Sequence, residues 1–69
     1  MMGWNYRILE DEYGTLGIHE VYYGDAGDPQ YCTADPIDLA GFSDITDLLD
    51  TLEMMKRAVK LPILSIEDF

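Results

Sequence analysis

Four carboxylates recur at every third residue: Asp44, Asp47, Asp50 and Glu53. On a helix such positions lie about 5–6 Å apart, so they form a spiralling ladder of negative charge. A helix selected for stability alone interleaves lysines with such a row. Here the one opposite-sign neighbour four residues away is Arg57, next to Glu53, and a pair of that kind contributes about 0.3–0.5 kcal/mol. Four further acids, Asp25, Asp28, Asp35 and Asp38, stand in the loops around a short strand and are placed to extend the field. Uncompensated carboxylates at regular spacing do electrostatic work rather than bond-making. They present to a basic surface the kind of charge that a phosphate chain presents.

The remaining reactive side chains do not assemble a site. His19 is the only histidine and falls inside a β-rich run, without a second imidazole or a paired cysteine. The pattern predicts a strand histidine bonded to a neighbour, not a metal ligand or a general base. Cys32, the only cysteine, has no partner for a disulfide and no adjacent activating group, which predicts a small buried hydrophobe. Asp25–Ala26–Gly27–Asp28 lacks the further oxygen ligands of a calcium loop and reads as a turn. Gly24 and Gly27 open no helix and have no lysine after them, which excludes a phosphate-binding loop. Trp4, Tyr6, Tyr22 and Tyr23 have faces on which bases stack, but in acidic surroundings they are expected to pack across strands. No catalytic set, cofactor site or metal site emerges, so the expected function is non-enzymatic.

Charge sharpens that expectation. Fourteen acids against four bases give the 69-residue chain a net charge of −10 and a pI near 4.1. Residues 1–55 hold twelve of the acids and only Arg7 as a base, while Lys56, Arg57 and Lys60 sit together within five residues. A chain of this sign is repelled by free nucleic acid and by anionic lipid. Apolar residues make up 48% and mean hydropathy is −0.09, a profile that matches a folded domain rather than an acidic tail. The length predicts one domain over residues 1–69. No run approaches the roughly 18 apolar residues of a membrane span, and the Met1–Met2–Gly3–Trp4 start lacks the basic and apolar regions of a leader. The expected location is cytoplasmic.

Five elements must position these groups. Trp4 to Asp11 alternates, with Trp4, Tyr6 and Ile8 on one face and Asn5, Arg7 and Leu9 on the other, which predicts a strand. A turn at Glu12–Tyr13–Gly14–Thr15 leads to a second strand over Leu16 to Tyr23. A turn rich in glycine, aspartate and proline then leads to a third over Gln30 to Asp35. After a loop from Asp35–Pro36 to Phe42, Ser43 or Asp44 caps a helix from Ile45 to Lys60. Its stripe of Ile45, Leu48, Leu49, Leu52, Met55 and Val59 is expected to face the sheet, leaving Asp47, Asp50, Glu53 and Arg57 outward. Pro62 ends the helix, and Leu61 to Ile66 reads as a short edge strand. The predicted class is α+β: a three-stranded antiparallel meander, one amphipathic helix packed on the sheet and a short C-terminal strand, in the order β-β-β-α-β.

This organisation resembles the HicB-like antitoxin domain. The resemblance is carried by Tyr6–Arg7–Ile8, by the Tyr13–Gly14–Thr15 turn, by the proline-to-glycine loop Asp35–Pro36–Ile37–Asp38–Leu39–Ala40–Gly41–Phe42, and by the acidic helix Asp44–Ile45–Thr46–Asp47–Leu48–Leu49–Asp50–Thr51–Leu52. It implies a protein that covers the active surface of a ribonuclease toxin. The DNA-binding segment that usually follows in that family is matched by none of these residues, so operon self-regulation is not expected of them. In size, acidity and lack of a catalytic set the chain is also similar to small anti-CRISPR proteins of phage. The functional expectation is an inhibitor that mimics nucleic acid and occupies a basic nucleic-acid-binding surface of a protein partner, such as a CRISPR effector subunit. The alternatives are a HicB-like antitoxin acting on a ribonuclease toxin, and a small structural domain whose acidity only keeps it dissolved. Asp25, Asp28, Asp35, Asp38, Asp44, Asp47, Asp50 and Glu53 are the expected contact residues.

Overall fold

The computed structural model describes residues 3–69, so the Met1–Met2 start that was read for a leader lies outside the described residues. Strands β1 (Trp4–Glu10), β2 (Leu16–Tyr23) and β3 (Pro29–Cys32) precede helix α1 (Ile45–Ala58). Strand β4 (Leu64–Ser65) and a 3₁₀ turn (Ile66–Asp68) close the chain. The four strands form one mixed sheet in the order β3-β2-β1-β4: β1, β2 and β3 are antiparallel neighbours, and β4 runs parallel to β1 at the edge. The class is α+β with the expected element order.

The β1–β2 hairpin is set by local chemistry. The Asp11 carboxylate accepts from the backbone N–H of Tyr13 and of Thr15, both at 2.9 Å, and Gly14 takes the positive φ of 79° that the turn requires. Register follows from the turn, pairing Leu9 with Gly17, Arg7 with His19 and Asn5 with Val21. These six residues therefore share one face of the sheet. On that face Leu9 and Val21 are completely enclosed, and with Met55 and Ala58 of α1 they make up the buried apolar core.

The third strand stops at Cys32, earlier than the expected Asp35, and its pairing with β2 slips at its start, where Tyr22 pairs with Tyr31 but Tyr23 with Pro29. Beyond Cys32 the chain does not leave the sheet. Thr33 N–H donates to the Glu20 carbonyl at 3.0 Å and Ile37 N–H to the Ile18 carbonyl at 2.7 Å, so the loop lines the outer edge of β2. Gly17 makes room for it, since a Cβ at that position would lie 2.9 Å from the Pro36 ring.

Arg7 lies on the core face and ties three segments together. Its Nη1 donates to the Tyr23 hydroxyl at 2.9 Å and its Nη2 to the Pro62 carbonyl at 2.8 Å, while the Tyr23 hydroxyl donates to Asn5 Oδ1 at 2.7 Å. Pro62, four residues beyond the end of the helix, thus anchors the chain's return to the sheet. Replacing Tyr23 by Phe removes the hydroxyl that bridges Asn5 and Arg7 and leaves both short of a partner. The expected cost is about 1–3 kcal/mol, read as a lower urea midpoint at unchanged slope.

Candidate functional site

Helix α1 begins where its sequence says it should. Asp44 is extended (φ −145°, ψ 162°) and its carboxylate accepts from Asp47 N–H at 2.9 Å, which makes Asp44 the N-cap. Asp47 in the first turn and Lys56 and Arg57 in the last match the helix dipole. The helix stops at Ala58, two residues before the expected Lys60. Lys60 and Leu61 instead donate to the carbonyls three residues back, tightening the chain before Pro62.

Its packing differs from the expected stripe. The helix lies mainly against β1. Met55 and Ala58 are buried, and Leu48, Thr51 and Met54 are half-buried. Ile45 is 78% exposed, Val59 66%, Leu49 55% and Leu52 42%. Four of the six stripe residues therefore do not face the sheet. At about 100° per residue the stripe covers a wide arc, and one flat sheet contacts only one flank of it. The small Thr51 and Ala58 let the helix settle on that flank, which leaves the other flank in solvent.

Going around the helix from the sheet-facing side come the exposed aliphatics, then Glu53, then Asp50, while Asp47 returns to the angular position of Met54 and Ala58 and is nonetheless exposed in the first turn. Asp50 and Asp47 are roughly opposite the aliphatic row. Asp44, Asp47, Asp50 and Glu53 are all exposed, so the ladder is open to solvent as expected.

The loop acids divide between the two ends of the sheet. Tyr23 N–H donates to the Gly3 carbonyl, which places the β2–β3 turn with Asp25 and Asp28 at the start of β1. A groove at that same end is lined by Trp4, Asn5, Tyr6, Met54, Arg57 and Leu61. The basic last turns of α1 therefore approach the end that carries Asp25 and Asp28, and the acidic first turns lie away from it. Asp35 lies at the other end of the sheet, with Asp11 and Glu12 of the hairpin, around a cleft of about 300 Å³. Asp38 is exposed in the loop between that cleft and the helix. Asp11 and Glu12 were not singled out by spacing, because what brings them to Asp35 is the loop along the edge of β2. The Asp11–x–Tyr13–Gly14 turn signature was the available clue.

The buried wall of the cleft is His19. Its Nδ1 lies 2.9 Å from the Thr33 carbonyl, which accepts only, so the ring donates from Nδ1 and fastens β2 to the segment after β3. That is the bonded strand histidine expected. Cys32 is half-buried, and burial pushes its thiol above the ordinary value of 9.0.

On the other face of the sheet, Trp4 meets Tyr6 edge-on at 5.3 Å between ring centres and Tyr22 at 6.4 Å. Partial burial, and then the nearby Glu20 carboxylate, raise the Tyr6 phenol above 10.0. Both shifts stabilise the neutral groups in the fold. The unfolded chain's thiol and phenol ionise first, so stability is full below pH 9 and falls as pH climbs through the raised values. A melting series from pH 7 to 11 is expected to decline from about pH 9, and Cys32→Ser to flatten the first part of the decline.

Among the described residues no three metal-ligating side chains converge, and no helix is long and apolar enough to cross a membrane. Helix α1 carries an exposed acidic row and a separate exposed aliphatic row. No protein-family model, curated relative or solved structure matches the chain.

Proposed function

We propose that this protein is a non-enzymatic inhibitor that binds a basic nucleic-acid-binding surface of a protein partner and excludes the nucleic acid from it. The observation that carries the reading is the exposed row Asp44, Asp47, Asp50 and Glu53 over the first three turns of one helix, in a chain of net charge −10 whose bases, Arg7 apart, are gathered at the end of that helix. Residues spaced along a helix hold their charges at fixed separation, so complementarity with a basic groove costs little ordering on binding. Asp35, beside Asp11 and Glu12 at one cleft, and the exposed Asp38 add negative charge outside the helix. A CRISPR effector subunit is the partner class that fits a cofactor-free acidic chain of this size; a ribonuclease toxin of basic surface is the alternative. The reading that acidity serves only to keep the chain dissolved predicts no such partner.

Salt separates these readings. A partner captured at low salt and then purified should lose affinity steeply from 0.1 M to 1 M salt, as the Debye length contracts from about 10 Å to about 3 Å. Affinity unchanged over that range overturns the electrostatic reading, and so does a partner surface without excess lysine and arginine.

A further inference from the structure

The cleft at the hairpin end of the sheet has a floor that the fold leaves half used. His19 is 5% exposed and its Nδ1 is occupied by the Thr33 carbonyl, so the neutral ring carries a lone pair on Nε2. Among the described residues that nitrogen has no hydrogen-bond partner. It is not sealed in either, since the one enclosed side-chain nitrogen or oxygen without a partner among them is Arg7 Nε. Nε2 lies 3.4 Å from where a Cβ of Gly17 would stand, and Gly17 lines the cleft together with His19. The missing side chain at Gly17 thus opens a buried acceptor to a space of about 300 Å³.

A ligand there must bring a donor, and the surroundings say of which sign. The exposed Asp11, Glu12 and Asp35 border the cleft, and no lysine or arginine lines it. The Asp11 carboxylate is held in place by the N–H groups of Tyr13 and Thr15. Three carboxylates around one opening attract a cation and repel an anion. A bare metal ion does not suit the site, because no three ligating side chains converge among the described residues. An ammonium group suits it on both counts: its N–H donates to Nε2, and its charge answers the carboxylates. Leu16, Pro36 and Ile66 complete the cleft with apolar surface, against which a hydrocarbon stem packs.

We propose that this cleft binds a protonated primary amine on an apolar stem, the ammonium donating to His19 Nε2 with the carboxylates of Asp11, Glu12 and Asp35 around it. A free alkylamine and the side chain of a protein's lysine both present this group. The site shares Asp35 with the acidic surface proposed for a basic partner. It does not rest on that reading, because it takes a small amine with no partner present.

His19 is the only histidine, so its ring nitrogens give nitrogen resonances that need no assignment against others. They are read at about pH 8, above the ordinary imidazole range and below that of an alkylamine. Titration with n-pentylammonium chloride is expected to move the Nε2 resonance to saturation, with a Kd in the millimolar range that so small a ligand allows. Tetramethylammonium has the charge without an N–H, and n-pentanol has the stem without the charge; each should bind at least about tenfold more weakly. The double variant Glu12→Gln/Asp35→Asn changes only exposed side chains. It should keep the fold and weaken the amine by about 3- to 30-fold. An Nε2 resonance that n-pentylammonium leaves unmoved up to about 0.1 M overturns the proposal. So does an equal response to tetramethylammonium, or a folded double variant of unchanged affinity. Once the site is upheld, Nα-acetyl-lysine methylamide separates the two sources. A comparable Kd assigns the amine to a protein's lysine, and its exclusion assigns a free alkylamine.

Discussion

Reversing Asp47 and Asp50 to lysine is expected to weaken binding to a basic partner by about 10- to 100-fold at low salt, mostly through slower association. The double variant raises the net charge from −10 to −6 and turns two links of the acid row into local repulsion. Both side chains are exposed, and the hydrogen bond at the helix start uses the Asp47 backbone N–H rather than its carboxylate. The fold should therefore persist. A lysine in the first turn opposes the helix dipole at a cost of about 0.3–1 kcal/mol, and relief of repulsion among the neighbouring acids offsets part of it. Surface plasmon resonance at 0.1 M salt with the purified partner reads the effect. A folded variant that binds and inhibits as the wild type does removes this face of α1 from the contact.

Leu9→Ala is expected to be the most damaging single truncation in the chain. Leu9 is 1% exposed and pairs with Gly17 on one side and with Leu64 on the other, so it sits where β2, β1 and β4 meet. Neither Gly17 nor the two-residue β4 can fill the space it would leave. A buried Leu→Ala change costs about 2–5 kcal/mol. A domain of this size has about 3–10 kcal/mol in all, so the variant should be largely unfolded at 37 °C. Ile45→Ala makes the contrast: at a side chain 78% exposed, it should move stability by less than about 0.5 kcal/mol. Urea denaturation of both variants checks the pair. Similar losses would mean that Ile45 is buried in the monomer and that the helix has rotated about its axis.

That contrast also shows where reading residues in order stops. A cap at Ser43 or Asp44, Gly14 in the turn and the edge position of the last strand all follow from local chemistry, because each depends on backbone geometry within a few residues, whereas the helix end, at Ala58 and not next to Pro62, does not. The exposure of Asp47, Asp50 and Glu53 was equally legible, since charges in such a row have no apolar surface to enter. The side of α1 that touches the sheet was not. Ile45, Leu49 and Leu52 are as apolar as Leu48 and Met55, and periodicity locates an apolar arc without saying which part of it another element covers.

The acidic surface divides in the same way. Its sign, its magnitude and the regular spacing on α1 are properties of composition and of a helix that local capping starts, and those the chain determines by itself. The meeting of Asp35 with Asp11 and Glu12, and the placement of Asp25 and Asp28 at the far end near the helix's basic turns, depend on how strands are ordered and on a loop held to the edge of β2 by two backbone hydrogen bonds. Contacts between residues distant in sequence arise from packing of whole elements, which no local pattern encodes. For that reason the tertiary structure alone decided which carboxylates share a surface and which aliphatic side chains were left outside the core.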